Sequence, residues 1–150
     1  MSMELTITLG TGARVDAAAQ GFTIHTDQPV ASGGGGSAPD PFTLFLASIG
    51  TCAGFYVGSF CRTRGISTEG VRVVQQVIDD PATKRPREIR LEVHLPEGFP
   101  AEYRDAVARA AGTCKVKKVL ADPPAFEITT VVDGLAPPVS QPSAVAAAVT

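Results

Sequence analysis

The chain has 150 residues, enough for one domain with a packed core, and its 44% apolar and 19% charged residues are typical of a globular protein. The formal net charge of −2 gives no electrostatic basis for binding nucleic acid or an anionic membrane. The histidines and cysteines form no closely spaced pairs such as CxxC or HxxxH, which excludes the usual zinc motifs. We therefore expect no resident metal or cofactor.

The N-terminus, MSMELTITLG, alternates polar and apolar residues and lacks the basic segment of a secretory leader. We expect a cytoplasmic protein. In that compartment the three cysteines are normally reduced, so a disulfide would be transient or catalytic rather than structural.

The first third of the chain predicts a small antiparallel sheet. Residues 3–9, 13–18 and 22–26 form short alternating segments separated by glycine-containing turns, a pattern that indicates a three-stranded meander. Four consecutive glycines follow at 33–36. They lack the Lys-Ser/Thr that completes a phosphate-binding loop, so we predict a mobile flap or linker here.

The segment from Pro41 to Arg64 predicts one long helix. Asp40 is a suitable N-cap, Pro41 fits the first helical position, and Gly65 is a typical stop. The segment has nearly the length and composition of a membrane span, but nothing else in the chain resembles a membrane protein. We therefore expect a buried central helix and no membrane association. Its glycines allow close approach by another element, such as the same helix of a second subunit.

The remaining chain predicts a hairpin from residues 71–78 and 88–95, a helix at 100–112 and a strand at 126–132 that closes the sheet. Residues 134–150 are rich in proline and alanine, and we expect them to be disordered. The element order is therefore βββ, long helix, ββ, helix, β. This order indicates an α+β fold in which two antiparallel halves pack around the long helix.

The three cysteines have different surroundings. Cys52 and Cys61 lie nine positions apart on the long helix, so they face opposite sides and cannot pair. Cys61 is interpreted as a packing residue. Cys114 is followed by three lysines within four residues, and nearby cations favour a thiolate. The alternative, a solvated basic turn beside an inert thiol, remains equally open.

The helix face around Cys52 predicts an apolar pocket wall with a few hydroxyl groups, and burial in it would raise the pKa of the Cys52 thiol. The predicted wall residues are Phe42, Phe45, Ser48, Ile49, Phe55 and Tyr56.

Two cysteine motifs in this element order carry a family resemblance. Cys52 lies eleven residues after Pro41 at the helix entry, and Cys114-Lys115-Val116 follows the next helix. In these features the chain resembles the OsmC/Ohr family of thiol-dependent hydroperoxide reductases. The resemblance covers roughly residues 1–133, and we predict that these residues form one OsmC-like domain.

The resemblance implies an intertwined homodimer with two active sites at the subunit interface. Cys52 would be the peroxidatic thiolate that attacks the O–O bond and becomes a sulfenic acid. Cys114 would be the resolving thiol that condenses with it to a disulfide. An external dithiol, in the family often a lipoyl group, would restore both thiols. The apolar wall suits an organic hydroperoxide.

One position departs from the peroxidase branches of the family. Phe42 stands where those branches have a glutamate, which pairs with an N-terminal arginine that supports the thiolate. Arg14 is the candidate for that arginine, and Asp40 is the alternative carboxylate.

Three functions follow from these observations. The first is an organic hydroperoxide reductase, and the second is a hydrophobic-ligand-binding or redox-sensing protein with the same fold. The third is a hydrolase or transferase with a cysteine nucleophile, which the settings of His25 and His94 disfavour because neither is placed as a base.

Overall fold

The computed structural model describes residues 2–134. The proline- and alanine-rich tail therefore lies outside the described residues except for Gly134, and the expectation of disorder there stays a prediction.

The N-terminal part forms a three-stranded antiparallel sheet in the order β1-β2-β3, with β1 at Thr6–Leu9, β2 at Val15–Ala19 and β3 at Phe22–Thr26. Gln20 and Gly21 connect β2 to β3 with φ angles of 51° and 80°. Two residues with positive φ form the kind of turn whose twist matches that of the strands it joins. The predicted meander is confirmed, with a shorter first strand.

Helix α1 spans Pro41–Thr63, as the sequence predicts. Asp40 caps its N-terminus, because one carboxylate oxygen accepts the backbone N–H groups of Phe42 and Thr43 at 3.0 and 3.1 Å. At the other end, Gly65 adopts a φ of 65°, which ends the helix without a steric cost.

The second sheet is the hairpin of β4 (Arg72–Asp79) and β5 (Pro86–His94). A 3-10 turn at Ala101–Tyr103 then leads into helix α2 (Arg104–Gly112), where the sequence predicts one continuous helix. A third helix, α3 (Lys115–Ala121), follows a short break at Thr113 and Cys114. The α+β class with two antiparallel sheets and one long helix is confirmed.

The C-terminal part departs from the predicted element order in two ways. The lysine-rich segment after Cys114 forms the first turn of α3, a helix that the predicted order lacks. Residues 126–132 join neither sheet, and Phe126 and Ile128 are 80% and 75% exposed. Alternation of apolar and polar residues indicates a segment that can lie on a half-buried sheet. A strand also needs a neighbouring strand whose backbone N–H and C=O groups are free to pair with it.

The core lies on one side of α1. Ile49, Ala53, Val57 and Cys61 are its buried residues, and their spacing of four places them in a single stripe. The central part of this stripe packs against α2 and the loop before it, through Val107, Ala111 and Phe99. Partly buried side chains of β4 and β5 complete the cluster, in particular Val73, Leu91 and Val93.

The other residues of α1 are exposed or only partly buried in the single chain, so full burial is confined to one side and is not all-round as predicted. The helix has 23 residues and a mean hydropathy of 1.6, which by length and composition alone would allow it to cross a bilayer. The buried stripe of α1 packs into the core, so α1 serves as the central helix of the fold.

The three-stranded sheet stands apart from this core. Within residues 2–134 it makes no extensive contact with the helices or with β4 and β5. One of its faces leaves large apolar side chains in contact with solvent. The largest of these are Leu5, Ile7, Leu9, Phe22 and Ile24.

The segment between β3 and α1 is organised around Asp27, a carboxylate that is only 2% exposed. Its oxygens accept the backbone N–H groups of Gln28, Gly35 and Ser37 at 2.8–3.2 Å, and the Ser37 hydroxyl at 2.7 Å. These donors hold the pKa of Asp27 at about 2, with the Ser37 hydroxyl as the largest cause. The glycine-rich segment therefore forms a hydrogen-bonded loop around Asp27, where the sequence predicted a mobile flap or linker.

Candidate thiol site

Helices α1 and α3 bring two cysteines together. Cys52 is half-buried on α1, one turn after Ile49. Cys114 is fully buried at the N-cap of α3, and its S–H donates to the backbone carbonyl of Ile49 with an S···O distance of 4.0 Å. The Cys114 thiol also lies close enough to the Cys52 sulfur to lower the pKa of the Cys52 thiol. The two thiols that the sequence analysis selected therefore meet within one chain, although they lie 62 positions apart.

The packing of α2 explains this arrangement. Val107 and Ala111 lie one turn apart on α2 and both enter the core beside α1. The helix ends at Gly112, and Thr113 closes its last turn by donating its backbone N–H to the carbonyl of Ala110. The next residue is Cys114, so the packing of α2 against α1 also places this thiol at the surface of α1.

The surroundings of Cys52 favour its thiolate form. The pKa of the Cys52 thiol is lowered from its ordinary value, first by the backbone N–H of Val116 and then by the Cys114 thiol. The backbone N–H and the positive charge of Lys115 contribute further, whereas burial opposes the shift. Burial raises this pKa as expected, but the hydrogen-bond donors and the Lys115 charge outweigh it, so the pKa is lowered overall.

The amide donors of α3 are the part of the site that the sequence analysis missed. Val116, Val119 and Leu120 are spaced three and four apart, which is the helical signal that was available. Recognising α3 would have placed the free N–H groups of its first turn next to Cys114. An effect of the lysines on Cys114 was one of two interpretations left open, and in the structure the Lys115 charge lowers the pKa of Cys52.

Cys61 lies away from this site. It is completely buried in the core cluster with Val57 and Phe99, and its pKa is raised because burial disfavours the thiolate. The interpretation of Cys61 as a packing residue is confirmed.

Arg14 is not part of the site within one chain. It is exposed at the end of the β1–β2 turn, where its carbonyl accepts the N–H of Gly10 at 2.9 Å. It is not among the groups that shift the pKa of Cys52. Asp40 is engaged in capping α1, and its second oxygen accepts the Thr43 hydroxyl at 2.6 Å. The supporting role of Arg14 therefore stays a prediction.

The predicted wall residues follow α1 but enclose no common pocket in the single chain. Phe42 and Phe45 stack with ring centroids 5.7 Å apart, and both are exposed. Phe55 contacts Tyr56 edge-on and is also exposed. Ser48 is partly buried and its hydroxyl donates to the carbonyl of Phe45. Ile49 is buried and belongs to the core stripe of α1.

Two cavities flank α1 elsewhere. One of about 530 Å³ lies between the small-residue face of α1, which includes Gly50 and Gly54, and strand β4. A second of about 730 Å³ lies near Arg64 and Tyr103, beyond the C-terminus of α1. None of the six predicted wall residues lines either cavity.

Comparison with known proteins adds to this geometry. The family model of the OsmC-like proteins matches residues 34–129, a span that includes both Cys52 and Cys114. The chain belongs to the OsmC/Ohr family. The curated proteins include no relative that matches the sequence. Arg14 lies outside the residues that the family model matches.

Solved structures share this OsmC fold. A protein from Psychrobacter arcticus 273-4, assigned to osmotic stress induced and detoxification response, has 22% identity and a TM-score of 0.65. An OsmC like protein from Mycoplasma pneumoniae has 16% identity and a TM-score of 0.61. An organic hydroperoxide resistance protein OsmC from Legionella pneumophila has 18% identity and a TM-score of 0.53. The alignments cover 76%, 81% and 80% of this chain and 85%, 88% and 89% of those proteins, respectively. At these identities the likeness concerns the fold.

Proposed function

We propose that this OsmC-family protein reduces organic hydroperoxides with Cys52 as the attacking thiolate and Cys114 as the resolving thiol. One observation carries the proposal: the pKa of the half-buried Cys52 thiol is lowered by backbone N–H groups at the start of α3 and by the neighbouring Cys114 thiol. A thiol with a lowered pKa and a second thiol in contact with it are the two requirements of this chemistry.

In the first step the Cys52 thiolate attacks one oxygen of the O–O bond. That bond breaks, Cys52 becomes a sulfenic acid, and the released alkoxide takes a proton to leave as an alcohol. In the second step the Cys114 sulfur attacks the Cys52 sulfur and loses its proton. The sulfenic hydroxyl leaves as water and a Cys52–Cys114 disulfide forms. An external dithiol then reduces this disulfide, which fits a reducing compartment such as the cytoplasm.

The substrate class follows from the apolar side chains along α1. Phe45 and Phe55 flank the Cys52 face, and the stacked Phe42 extends the apolar surface to the start of the helix. A substrate with an alkyl or aryl group gains free energy by covering such side chains, whereas hydrogen peroxide does not. The proposal therefore assigns bulky organic hydroperoxides to this site.

The active assembly in this proposal is an intertwined homodimer. Support comes from the exposed apolar residues of the three-stranded sheet and from the exposed faces of α1, which a second copy would remove from water. Arg14 is not among the groups that lower the pKa of Cys52 in its own chain. In the dimer it would support the Cys52 thiolate of the partner. Light scattering at micromolar protein concentration tests the assembly, and a monomer that consumes hydroperoxide at full rate would contradict it.

Steady-state reduction of cumene hydroperoxide with a dithiol tests the chemistry. Cys52→Ser should abolish peroxide consumption, because serine supplies no thiolate. Cys114→Ser should permit one turnover and then stall at a sulfenic acid, which dimedone traps. Cys61→Ala, in the core and away from the site, is the matched control and should retain turnover. Unchanged turnover in Cys52→Ser would contradict the proposal.

Phe42 favours a second candidate function, the binding of a hydrophobic ligand or redox sensing without efficient turnover. It places an aromatic ring, stacked on Phe45, where peroxidase branches of the family have a glutamate. This function predicts slow reaction of Cys52 with hydroperoxides together with measurable binding of a fluorescent fatty acid. Fast hydroperoxide reduction by the wild-type protein would exclude it.

A further inference from the structure

The side chain of Gln75 reaches from β4 to the surface of α1. Its amide Nε2 donates to the backbone carbonyl of Leu46 with an N···O distance of 3.0 Å. Its Oε1 lies over Gly50, because a Cβ atom at that glycine would be only 2.8 Å from it. The amide therefore lies across the turn of α1 from Leu46 to Gly50, and the missing side chain at Gly50 leaves room for it.

The Gln75 amide is only half satisfied. Its Oε1 is buried and has no hydrogen-bond partner among residues 2–134. A buried polar atom without a partner lowers stability, whereas an apolar side chain of the same length avoids that cost. Such a cost is expected where a side chain serves a functional site rather than the stability of the fold.

The turn that Gln75 holds lies on the opposite side of α1 from Cys52. Cys52 follows Gly50 by two residues, and two steps of about 100° place these residues on opposite sides of the helix. The rise over two residues is about 3 Å, so both lie at nearly the same level along the helix axis. Gln75 therefore holds α1 on the side that faces β4, while Cys52 faces the start of α3.

Few other polar contacts fix this part of α1. Among residues 2–134, two side-chain hydrogen bonds reach α1 from other helices, strands or their caps, one from Gln75 and one from Cys114. The bond from Cys114 to the carbonyl of Ile49 is long, with an S···O distance of 4.0 Å, and a thiol is a weak donor. The buried core cluster includes α1 only from Ala53 onward. The position of this turn relative to α3 therefore depends on Gln75.

We propose that Gln75 is a positioning residue for the thiol chemistry of Cys52, because it holds the turn at residues 46–50 so that the Cys52 sulfur stays against the start of α3. Gln75 is not among the groups that act on the sulfur directly, and it works through the position of the helix. The N–H groups of Lys115 and Val116 stabilise a thiolate only at short range, since hydrogen bonds weaken steeply with distance and angle. This inference rests on the proposed function, because it concerns the same sulfur.

The test measures how the reactivity of Cys52 depends on pH. Alkylation of the full chain by iodoacetamide over a wide pH range gives the apparent pKa of Cys52 and its limiting rate at high pH separately. Gln75→Met keeps the length of the side chain and removes the donor. We expect alkylation at pH 7 to slow about threefold through a rise in the apparent pKa, with the limiting rate unchanged. Gln76→Met, on the opposite face of β4, is the matched control and should follow the wild type.

A second variant reaches the same contact from the helix side. Gly50→Ala places a methyl group against Oε1 of Gln75, so it should displace the amide from Leu46 and raise the apparent pKa of Cys52 in the same way. Gly54→Ala is its control, because a Cβ there meets no atom within 4 Å. Both substitutions raise helix propensity equally. The double variant Gly50→Ala/Gln75→Met should be no slower than either single variant, because both disrupt one contact.

Urea denaturation separates positioning from a structural role. Gln75→Met should keep or raise the urea midpoint, because it removes a buried atom without a partner. If the midpoint falls instead, Gly50→Ala decides, since alanine favours the helix. A wild-type pH profile in Gly50→Ala or Gln75→Met, or an equal change in Gly54→Ala, would overturn the inference and leave the proposed function standing. If these variants shift the pH profile as expected but wild-type Cys52 does not react with cumene hydroperoxide, the proposed function alone is overturned.

Discussion

The loop around Asp27 and the site around Cys52 both stabilise an anionic group. The loop encloses its carboxylate, whereas the thiol site leaves one side of the sulfur open. Each holds an anionic group with backbone N–H donors and a neighbouring O–H or S–H group, and neither relies mainly on a charged partner. Asp27 is enclosed by Gln28, Gly35 and Ser37 and is 2% exposed. Cys52 has donors on the α3 side only and remains half-buried.

This difference in burial gives the Asp27 carboxylate a structural role and leaves the Cys52 sulfur able to react. A carboxylate that is surrounded by donors fixes a loop, because every donor loses a partner if the loop opens. A sulfur with donors on one side has a lowered pKa and still offers its other side to a substrate. The following predictions test this comparison, from the largest expected effect to the smallest.

Substitution of Gly34 should cause the largest effect. A Cβ atom at Gly34 would lie 1.9 Å from the backbone carbonyl oxygen of Gln28, so the loop around Asp27 cannot close without a backbone shift. We expect Gly34→Ala to lower the free energy of unfolding by about 3 kcal/mol in urea denaturation. Gly98→Ala is the control, because a Cβ there meets no atom within 4 Å, and it should change stability by less than about 0.5 kcal/mol. Equal stabilities of the two variants would show that the loop is as loose as the sequence suggested.

Acid should weaken the Asp27 loop in a defined pH window. The pKa of Asp27 is lowered from 3.8 to about 2 in the folded protein. Its contribution to stability is therefore fully present above about pH 4 and is lost as the pH falls through about 2. Urea midpoints between pH 5 and pH 2 should fall more steeply for the wild type than for Asp27→Asn, which has no carboxylate at this position. Asp40 and Asp80, whose pKa values are also lowered, are present in both proteins. Identical acid slopes would contradict the role given to Asp27.

The sequence predicted most of the elements, because β1–β5, α1 and α2 are each encoded by local periodicity and caps. It did not predict the Asp27 loop, since that depends on one carboxylate meeting N–H groups eight and ten residues away. It also placed a strand at residues 126–132, where alternation is present but no neighbouring strand pairs with the segment.

For the thiol site, the sequence and the family resemblance identified Cys52 and Cys114, and the structure places them in contact. The source of thiolate stabilisation was not predicted. Residue types direct attention to charged side chains such as Arg14, whereas the backbone N–H groups of Lys115 and Val116 are present in any sequence. Only the position of α3 makes them donors to Cys52.

Removal of the Cys114 thiol should raise the pKa of Cys52 by deleting one donor. At pH 7, Cys114→Ala should slow alkylation of Cys52 by iodoacetamide roughly fivefold. Cys114→Ser keeps an O–H donor at the same place and should stay near the wild-type rate. Alkylation reports on Cys52 because Cys61 and Cys114 are completely buried. Equal rates for the alanine and serine variants would show that Cys114 does not donate to Cys52.

Removal of the Lys115 charge should have the smallest effect, because that charge is the weakest of the causes that lower the pKa of Cys52. Lys115→Gln keeps the backbone N–H and should slow alkylation at pH 7 about twofold, with the difference vanishing at high salt. Lys84→Gln serves as the control for net charge. A decrease of tenfold or more in Lys115→Gln would mean that charge, and not the backbone, supports the thiolate.

The central claim is that Cys52 and Cys114 form a catalytic pair, and a thiol count tests it most directly. The fully reduced protein is treated with one equivalent of cumene hydroperoxide, and its free thiols are counted over time and mapped by mass spectrometry. We predict rapid loss of two of the three thiols and a single disulfide between Cys52 and Cys114. Three thiols that survive for many minutes would contradict the account and direct the search to ligands of the α1 surface.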